Sequence, residues 1–193
     1  MTFDGTLTTG EKIALFIDGE NLHLTARALG FDLDYRKLLK EFQGGSTVRA
    51  LYYTAIAEDQ EQPSAVRQLT DWLDYNGFSI VSKSTKEYVD ANGRRRVRGS
   101  RFHVDLTVDA MALAEQLDEM VLFSGDGAFR PVVKAVQRRG VRVTVVSTIA
   151  TTRPMIADEL RRQADCFIDL VDLRGRLGRG ISDRATSRRN PHR

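Results

Sequence analysis

The strongest constraint on the fold is an alternation. Short apolar runs, each closed by a polar or glycine-marked turn, are followed by stretches of helical periodicity. The first run, Ile13-Ala14-Leu15-Phe16-Ile17, is apolar without a break and stops at Asp18-Gly19. A half-buried strand alternates apolar with polar residues. An unbroken run predicts a strand covered on both faces, as in a parallel sheet. Glu20 to Leu29 then reads as a helix stopped by Gly30, and Tyr35 to Phe42 as a second, stopped by Gly44-Gly45. Val48 to Thr54 is rich in β-formers. Pro63 suits the first turn of a helix that carries Val66, Leu69 and Leu73 on one face and ends near Gly77. Phe78 to Val81, Met120 to Phe123 and Val141 to Val146 supply further strands, the last two separated by a helix from about Phe129 to Gln137. Pro154 opens a final long helix to about Ala164, and Phe167 to Leu170 adds an edge strand.

Strands alternating with helices imply βαβ crossovers. The expected fold is α/β: a three-layer α/β/α sandwich around a central, mostly parallel sheet of about five strands. At 193 residues and 41% hydrophobic, one domain is the economical reading. The expected division is an N-terminal extension over 1–11, a domain over 12–173, and a basic, disordered tail over 174–193. A net charge of +3 does not by itself mark a nucleic-acid binder. It is unevenly placed, however. Arg174 to Arg193 holds seven arginines against the single acid Asp183, leaving residues 1–173 at −3. The one cysteine, Cys166, excludes an intrachain disulfide and a thiolate zinc cluster. No apolar run approaches the roughly 18 residues of a membrane span. The N-terminal dozen has neither the basic nor the apolar region of a signal peptide, so no membrane partner and a cytoplasmic location are expected.

One segment, about 84–101, breaks the rhythm. Asn92-Gly93 between Tyr88-Val89 and Arg96-Val97 signals a tight hairpin, inserted in the domain and carrying Arg94, Arg95, Arg96, Arg98 and Arg101. Such a run is either a solvated surface or a basic finger aimed at phosphates.

In open parallel sheets, ligands bind beyond the carboxyl ends of the strands. Asp18-Gly19-Glu20-Asn21 follows the first strand directly, and Ser124-Gly125-Asp126-Gly127 follows the strand at Met120 to Phe123. If these strands are neighbours, their aspartates share one crevice; each aspartate also suits an N-cap for the helix after it. The helix from Val104 to Leu117 has Val104, Val108 and Met111 on one stripe and Leu106, Ala110, Leu113 and Leu117 on nearly the opposite one. It is expected to be buried along two sides. Asp105 and Asp109 lie between the stripes, four residues apart, where like charges repel unless the stripe faces water or a cation intervenes. Asp18, Asp105, Asp109 and Asp126 are hard oxygen ligands suited to Mg²⁺ or Mn²⁺. A metal so held activates water and stabilises phosphoryl charge, and Asn21 and Ser124 would orient a phosphate. No Ser–His or Cys–His pair makes a convincing nucleophile, and no glycine-rich nucleotide loop is present.

Phe16-Ile17-Asp18-Gly19-Glu20-Asn21-Leu22, His103-Val104-Asp105-Leu106-Thr107-Val108-Asp109 and Leu122-Phe123-Ser124-Gly125-Asp126-Gly127-Ala128-Phe129 together resemble the NYN-domain family, and within it the LabA-like branch related to PIN-domain ribonucleases. The resemblance runs from about Lys12 to Asp172. It implies a PIN-like, Rossmannoid fold and cleavage of RNA with Mg²⁺ or Mn²⁺. On the family pattern the first-strand acid and amide fall on Asp18 and Asn21. The Ser and Asp of the later strand fall on Ser124 and Asp126, and the acid closing the helix motif on Asp109. Two positions depart from the pattern: His103 stands where the family has an aspartate, and Ala128 where it has an acid or amide. His103 or Asp105 could take the missing ligand's place.

Two functions are therefore expected candidates: a metal-dependent endoribonuclease, or a catalytically degenerate RNA-binding or regulatory module on the same fold. A phosphatase working through an aspartyl phosphate is disfavoured, because Asp18-Gly19-Glu20 lacks a second aspartate two residues on. RNA is the expected partner, and a homodimer is left open.

Overall fold

The computed structural model describes residues 11–42, 46–57, 65–89, 95–99 and 102–179. In chain order the elements are β1 (Lys12–Asp18), α1 (Gly19–Ala28), α2 (Tyr35–Glu41), β2 (Ser46–Ala57), α3 (Ala65–Tyr75), β3 (Ser79–Val89), β4 (Arg95–Gly99) and α4 (His103–Leu113). There follow β5 (Glu119–Phe123), α5 (Arg130–Gln137), β6 (Arg142–Ser147), α6 (Asp158–Gln163), β7 (Cys166–Asp169) and α7 (Arg174–Leu177). Among the described residues seven strands form one sheet in the order β4-β3-β2-β1-β5-β6-β7. Every neighbouring pair is parallel except β3 and β4. The chain therefore builds outward from β1 to β4, then returns to lay β5 on the other flank of β1. That reversal puts the switch in strand order between β1 and β5, where a crevice opens at the carboxyl ends.

The unbroken apolar run of β1 is explained by its central place. Ile13, Leu15 and Ile17 point into a core shared with α1, α2 and α7, while Ala14 and Phe16 point into a second core shared with α4, α5 and α6. All five are fully buried. The result is a three-layer α/β/α sandwich of Rossmannoid, PIN-like form. No helix among the described residues is long and apolar enough to cross a membrane.

The structure differs from expectation in four places. First, β3 runs on past Val81 to Val89 and pairs antiparallel with β4, from Thr85–Gly99 to Val89–Arg95. The basic hairpin is thus an extension of the sheet's own edge, and Arg95, Arg96 and Arg98 lie on β4. Arg94 and Arg101 lie outside the described residues.

Second, Pro154 does not open a long helix. Only Asp158–Gln163 is helical, because the preceding backbone is tied elsewhere: the Met155 amide donates to the Thr148 carbonyl (2.9 Å) and the Ala157 amide to the Gly125 carbonyl (2.9 Å).

Third, α4 is buried along one side, not two. Leu106 and Ala110 are covered, whereas Val104 is 70% and Val108 58% exposed. Met111 and Leu113 pack at the edge of the same core, and the flank of Val104 and Val108 is left uncovered.

Fourth, order persists past Arg174. Leu173, the N-cap of α7, and Leu177 at its end, four residues apart, are both buried. The Leu177 carbonyl accepts from the Asp34 amide (2.8 Å), the Gly178 carbonyl from Lys37 Nζ (2.9 Å), and Arg176 pairs with Glu41. Composition hid this apolar pair among arginines. Residues 180–193 of the expected tail lie outside the described residues.

Candidate functional site

Asp18 ends β1 and begins α1. Its Oδ1 accepts from the Asn21 amide at 3.1 Å, an N-cap, and its Oδ2 accepts from Ser124 Oγ at 2.9 Å. The second bond crosses the β1–β5 switch, since Ile17 pairs with Phe123 immediately before the two residues. Asn21 completes the bridge: its Oδ1 accepts from the Gly125 amide at 3.0 Å. Ser124 Oγ also accepts from the Asp126 amide at 3.2 Å. Asp18, Asn21, Ser124 and Asp126 therefore form one network joining two strand ends. Asp126 caps the turn after it, its Oδ1 accepting from the Ala128 amide at 2.9 Å. Capping and placement in the crevice coexist at both aspartates.

Two glycines make this closeness possible. A Cβ on Gly19 would overlap the Tyr52 ring, and one on Gly125 would overlap the Met155 carbonyl oxygen. Burial pushes the Asp18 carboxyl above its ordinary range, against the opposing pull of the Asn21 and Ser124 hydrogen bonds. Glu20 adds a smaller push in the same direction.

The remaining acids are each matched by a neighbour. His103 Nε2 lies 3.2 Å from Asp126 Oδ2, its ring set edge-on against Phe129 with centroids 4.8 Å apart. Lys83 Nζ lies 2.9 Å from Asp105 Oδ1. Tyr53 donates its hydroxyl to Asp109 Oδ2 at 2.9 Å. Burial, followed by the Asp109 contact, raises the Tyr53 phenol above its usual value and keeps it a donor.

Neither Tyr53 nor Lys83 stood out in the sequence. The β1–β2 register places Tyr53 opposite Asp18, and a polar phenol in the apolar run Leu51-Tyr52-Tyr53 was the available signal. Lys83 lies beyond the apolar part of β3, where only strand order brings it to α4.

A divalent metal would need several of these carboxylates to converge with free lone pairs. Among the described residues, no group of three or more His, Cys, Asp or Glu side chains is placed to hold one. The acids are instead engaged separately. Asp18 is taken by Asn21 and Ser124, Asp109 by a phenol, Asp105 by an ammonium and Asp126 by an imidazole. The residues present do not fit the metal expected from the resemblance.

The sheet order, the switch-point crevice and the strand-end Asp–Ser–Asp network define a PIN-like α/β/α protein. The NYN domain family matches residues 12–172, and a curated relative, low amplitude and bright protein LabA of Synechococcus elongatus (strain ATCC 33912 / PCC 7942 / FACHB-805), is 35% identical over 167 residues, covering 84% of this chain and 86% of that one. The chain belongs to the NYN-domain family, in its LabA-like branch. A crystal structure of a protein of unknown function, VPA0982 from Vibrio parahaemolyticus RIMD 2210633, is also similar. It shares 27% identity at a TM-score of 0.63, over 88% of this chain and 96% of that chain.

Proposed function

We propose that this chain is an RNA-binding, regulatory module on the NYN fold in which metal-dependent hydrolysis has been lost. The observation that carries the reading is the imidazole of His103 set 3.2 Å from Asp126, with alanine at position 128 beside it. Where the family pattern has an aspartate and an acid or amide, this crevice has a nitrogen base turned onto its own carboxylate and a methyl group. Without a cation, Asp18 and its neighbours repel phosphates. RNA is then held from outside the crevice, by the β3–β4 edge with Arg95, Arg96 and Arg98 and by the arginines after residue 179. Binding of this kind is electrostatic and steep in salt, with a slope of about −0.7 per phosphate contact on a single strand.

The test is binding of single-stranded and hairpin RNA at several salt concentrations, with product analysis in Mg²⁺ and Mn²⁺. Steep salt dependence without cleavage is expected. Replacing Arg95, Arg96 and Arg98 together by alanine should lower the magnitude of the slope by roughly 2. His103→Asp with Ala128→Asp should bring measurable Mn²⁺ affinity to a crevice that lacks it.

A second reading, a metal-dependent endoribonuclease, is favoured by one observation: the Asp18–Asn21–Ser124–Asp126 framework is intact across the switch point. Mn²⁺-dependent cleavage by the unaltered chain, abolished by Asp18→Asn and by Asp126→Asn, would establish that reading and overturn the first.

A further inference from the structure

A cavity of about 400 Å³ opens beside α1, on the face of the sheet away from α4. Its size falls in the range of small-ligand pockets, about 300–1,000 Å³. One face of α1 borders it, since His23, Ala26 and Arg27 are spaced three and four residues apart. Buried Phe31, Leu33 and Tyr35, with the partly buried Leu69 of α3, make its inner walls apolar. His23, Arg27, Asp32 and Arg179, all exposed, stand at its mouth. The Arg179 amide donates to the Asp32 carbonyl at 2.9 Å, which fixes the segment after α7 against the link between α1 and α2.

Two properties of this lining are unmet within the chain. The first is charge. Among the described residues neither Arg27 nor Arg179 takes part in an ion pair. Two arginines against one aspartate leave the lining at +1 with His23 neutral. The second is a proton. Tyr35, 5% exposed, faces Tyr52 with the two hydroxyl oxygens 3.5 Å apart. One hydroxyl donates to the other, and the pair then holds a second O–H with no acceptor among the described residues. A buried donor left in this state is costly until an acceptor reaches it. Burial pushes the Tyr35 phenol up and keeps it protonated, while the Tyr52 hydrogen bond and the charge of Arg179 pull the other way.

We propose that this cavity binds a nucleoside monophosphate, with the phosphate on Arg27 and Arg179 at the mouth and the base seated among Phe31, Leu33, Tyr35 and Leu69. Guanidinium forks match phosphate oxygens in geometry and charge. A flat heterocycle covers the apolar walls and brings ring nitrogens or carbonyl oxygens to take the spare phenol proton. Ribose hydroxyls donate to Asp32. Other anions use less of the site. Inorganic phosphate leaves the apolar walls in water, and a fatty acid offers only hydrocarbon to the phenol and no donor to Asp32. The cavity shares no residue with the Asp18–Ser124 network or with the β3–β4 edge, so the proposal stands apart from RNA binding and cleavage.

Isothermal titration calorimetry of the full chain with AMP tests this. A dissociation constant of about 10–100 µM is expected, with adenosine and inorganic phosphate each at least about thirtyfold weaker. Arg27→Ala and Arg179→Ala, both at exposed positions, should each weaken AMP binding about tenfold with an unchanged far-UV circular dichroism spectrum. Tyr35→Phe, which removes the spare donor, should weaken it about fivefold. Replacing Arg95, Arg96 and Arg98 together by alanine should leave AMP binding unchanged; a loss there would put AMP on the β3–β4 edge and overturn the proposal. No binding up to about 5 mM AMP overturns it as well. So does AMP binding that is indifferent to both Arg27→Ala and Arg179→Ala. Inorganic phosphate binding as tightly as AMP overturns the assignment to a nucleotide.

Discussion

The two ends of the same central strands carry acids in opposite circumstances. At the amino end Glu119, 4% exposed, receives Thr144 Oγ1 at 2.6 Å and Arg142 Nη2 at 2.7 Å, and the same guanidinium reaches Glu11 at 2.8 Å. Asp118 Oδ2 accepts from the Lys12 amide at 2.8 Å, tying β1 to β5. The hydrogen bond to Glu119 holds the Arg142 guanidinium above even its own high range. At the carboxyl end Asp18 is equally buried; burial pushes its carboxyl up, and the amide and hydroxyl it accepts from, both neutral, only partly offset that push. A fork-shaped cation makes an acid part of the frame. Neutral donors leave an acid buried at a cost, which is the usual mark of a site with work to do.

The comparison is tested most severely at Arg142. Arg142→Met leaves Glu119 buried without its cation, and urea unfolding should show a loss of about 2–3 kcal/mol. A smaller effect than at any crevice position would reverse the contrast. Tyr53→Phe removes the donor to Asp109, which is only partly buried, so water takes over part of the role. A loss of about 1 kcal/mol is expected in the same measurement.

Asp18→Asn should go the other way. Because the folded-state pKa of Asp18 lies above its unfolded value, the folded chain holds this proton more tightly. The associated stability is present at low pH and lost as pH rises through the raised value. An asparagine keeps the acceptor for the Asn21 amide and donates to Ser124, whose hydroxyl turns to accept. Thermal melts near neutrality should therefore rise slightly, by under about 1 kcal/mol, and the slope of stability against pH in the acid range should flatten. A melt that falls with unchanged pH dependence would place Asp18 with Glu119. The smallest effect is expected at Lys83, where the pair with Asp105 is about one-third exposed on both sides. Lys83→Met should change stability by less than about 0.5 kcal/mol.

Much of this was legible in the sequence, and the limit is physical. The unbroken run Ile13–Ile17 is what a doubly covered strand requires, so the central position of β1 and the strand-end places of Asp18 and Asp126 follow from local pattern. Their meeting across the switch point needed only the neighbourhood of two strands. The partners of Asp105 and Asp109 did not follow. Lys83 and Tyr53 come from β3 and β2, and which side chains meet α4 depends on sheet order and on how far β3 extends. The stripe on α4 shows a related limit: periodicity reports that a helix has two apolar sides, and it does not say that only one neighbour exists. Leu173 and Leu177 were outweighed by the arginines around them, since composition averages over the spacing that matters.

The glycine between Ser124 and Asp126 has a consequence for how this crevice can change. Because the Met155 carbonyl occupies the space where a side chain on Gly125 would stand, and Ala157 donates back to the Gly125 carbonyl, the turn that presents Ser124 and Asp126 and the loop of residues 148–157 are wedged together. Neither can shift without the other. Substitutions in that loop, which holds none of the crevice acids, are thus transmitted as displacements of the Asp–Ser–Asp geometry. The loop is a mechanical adjuster for chemistry that sits on other strands.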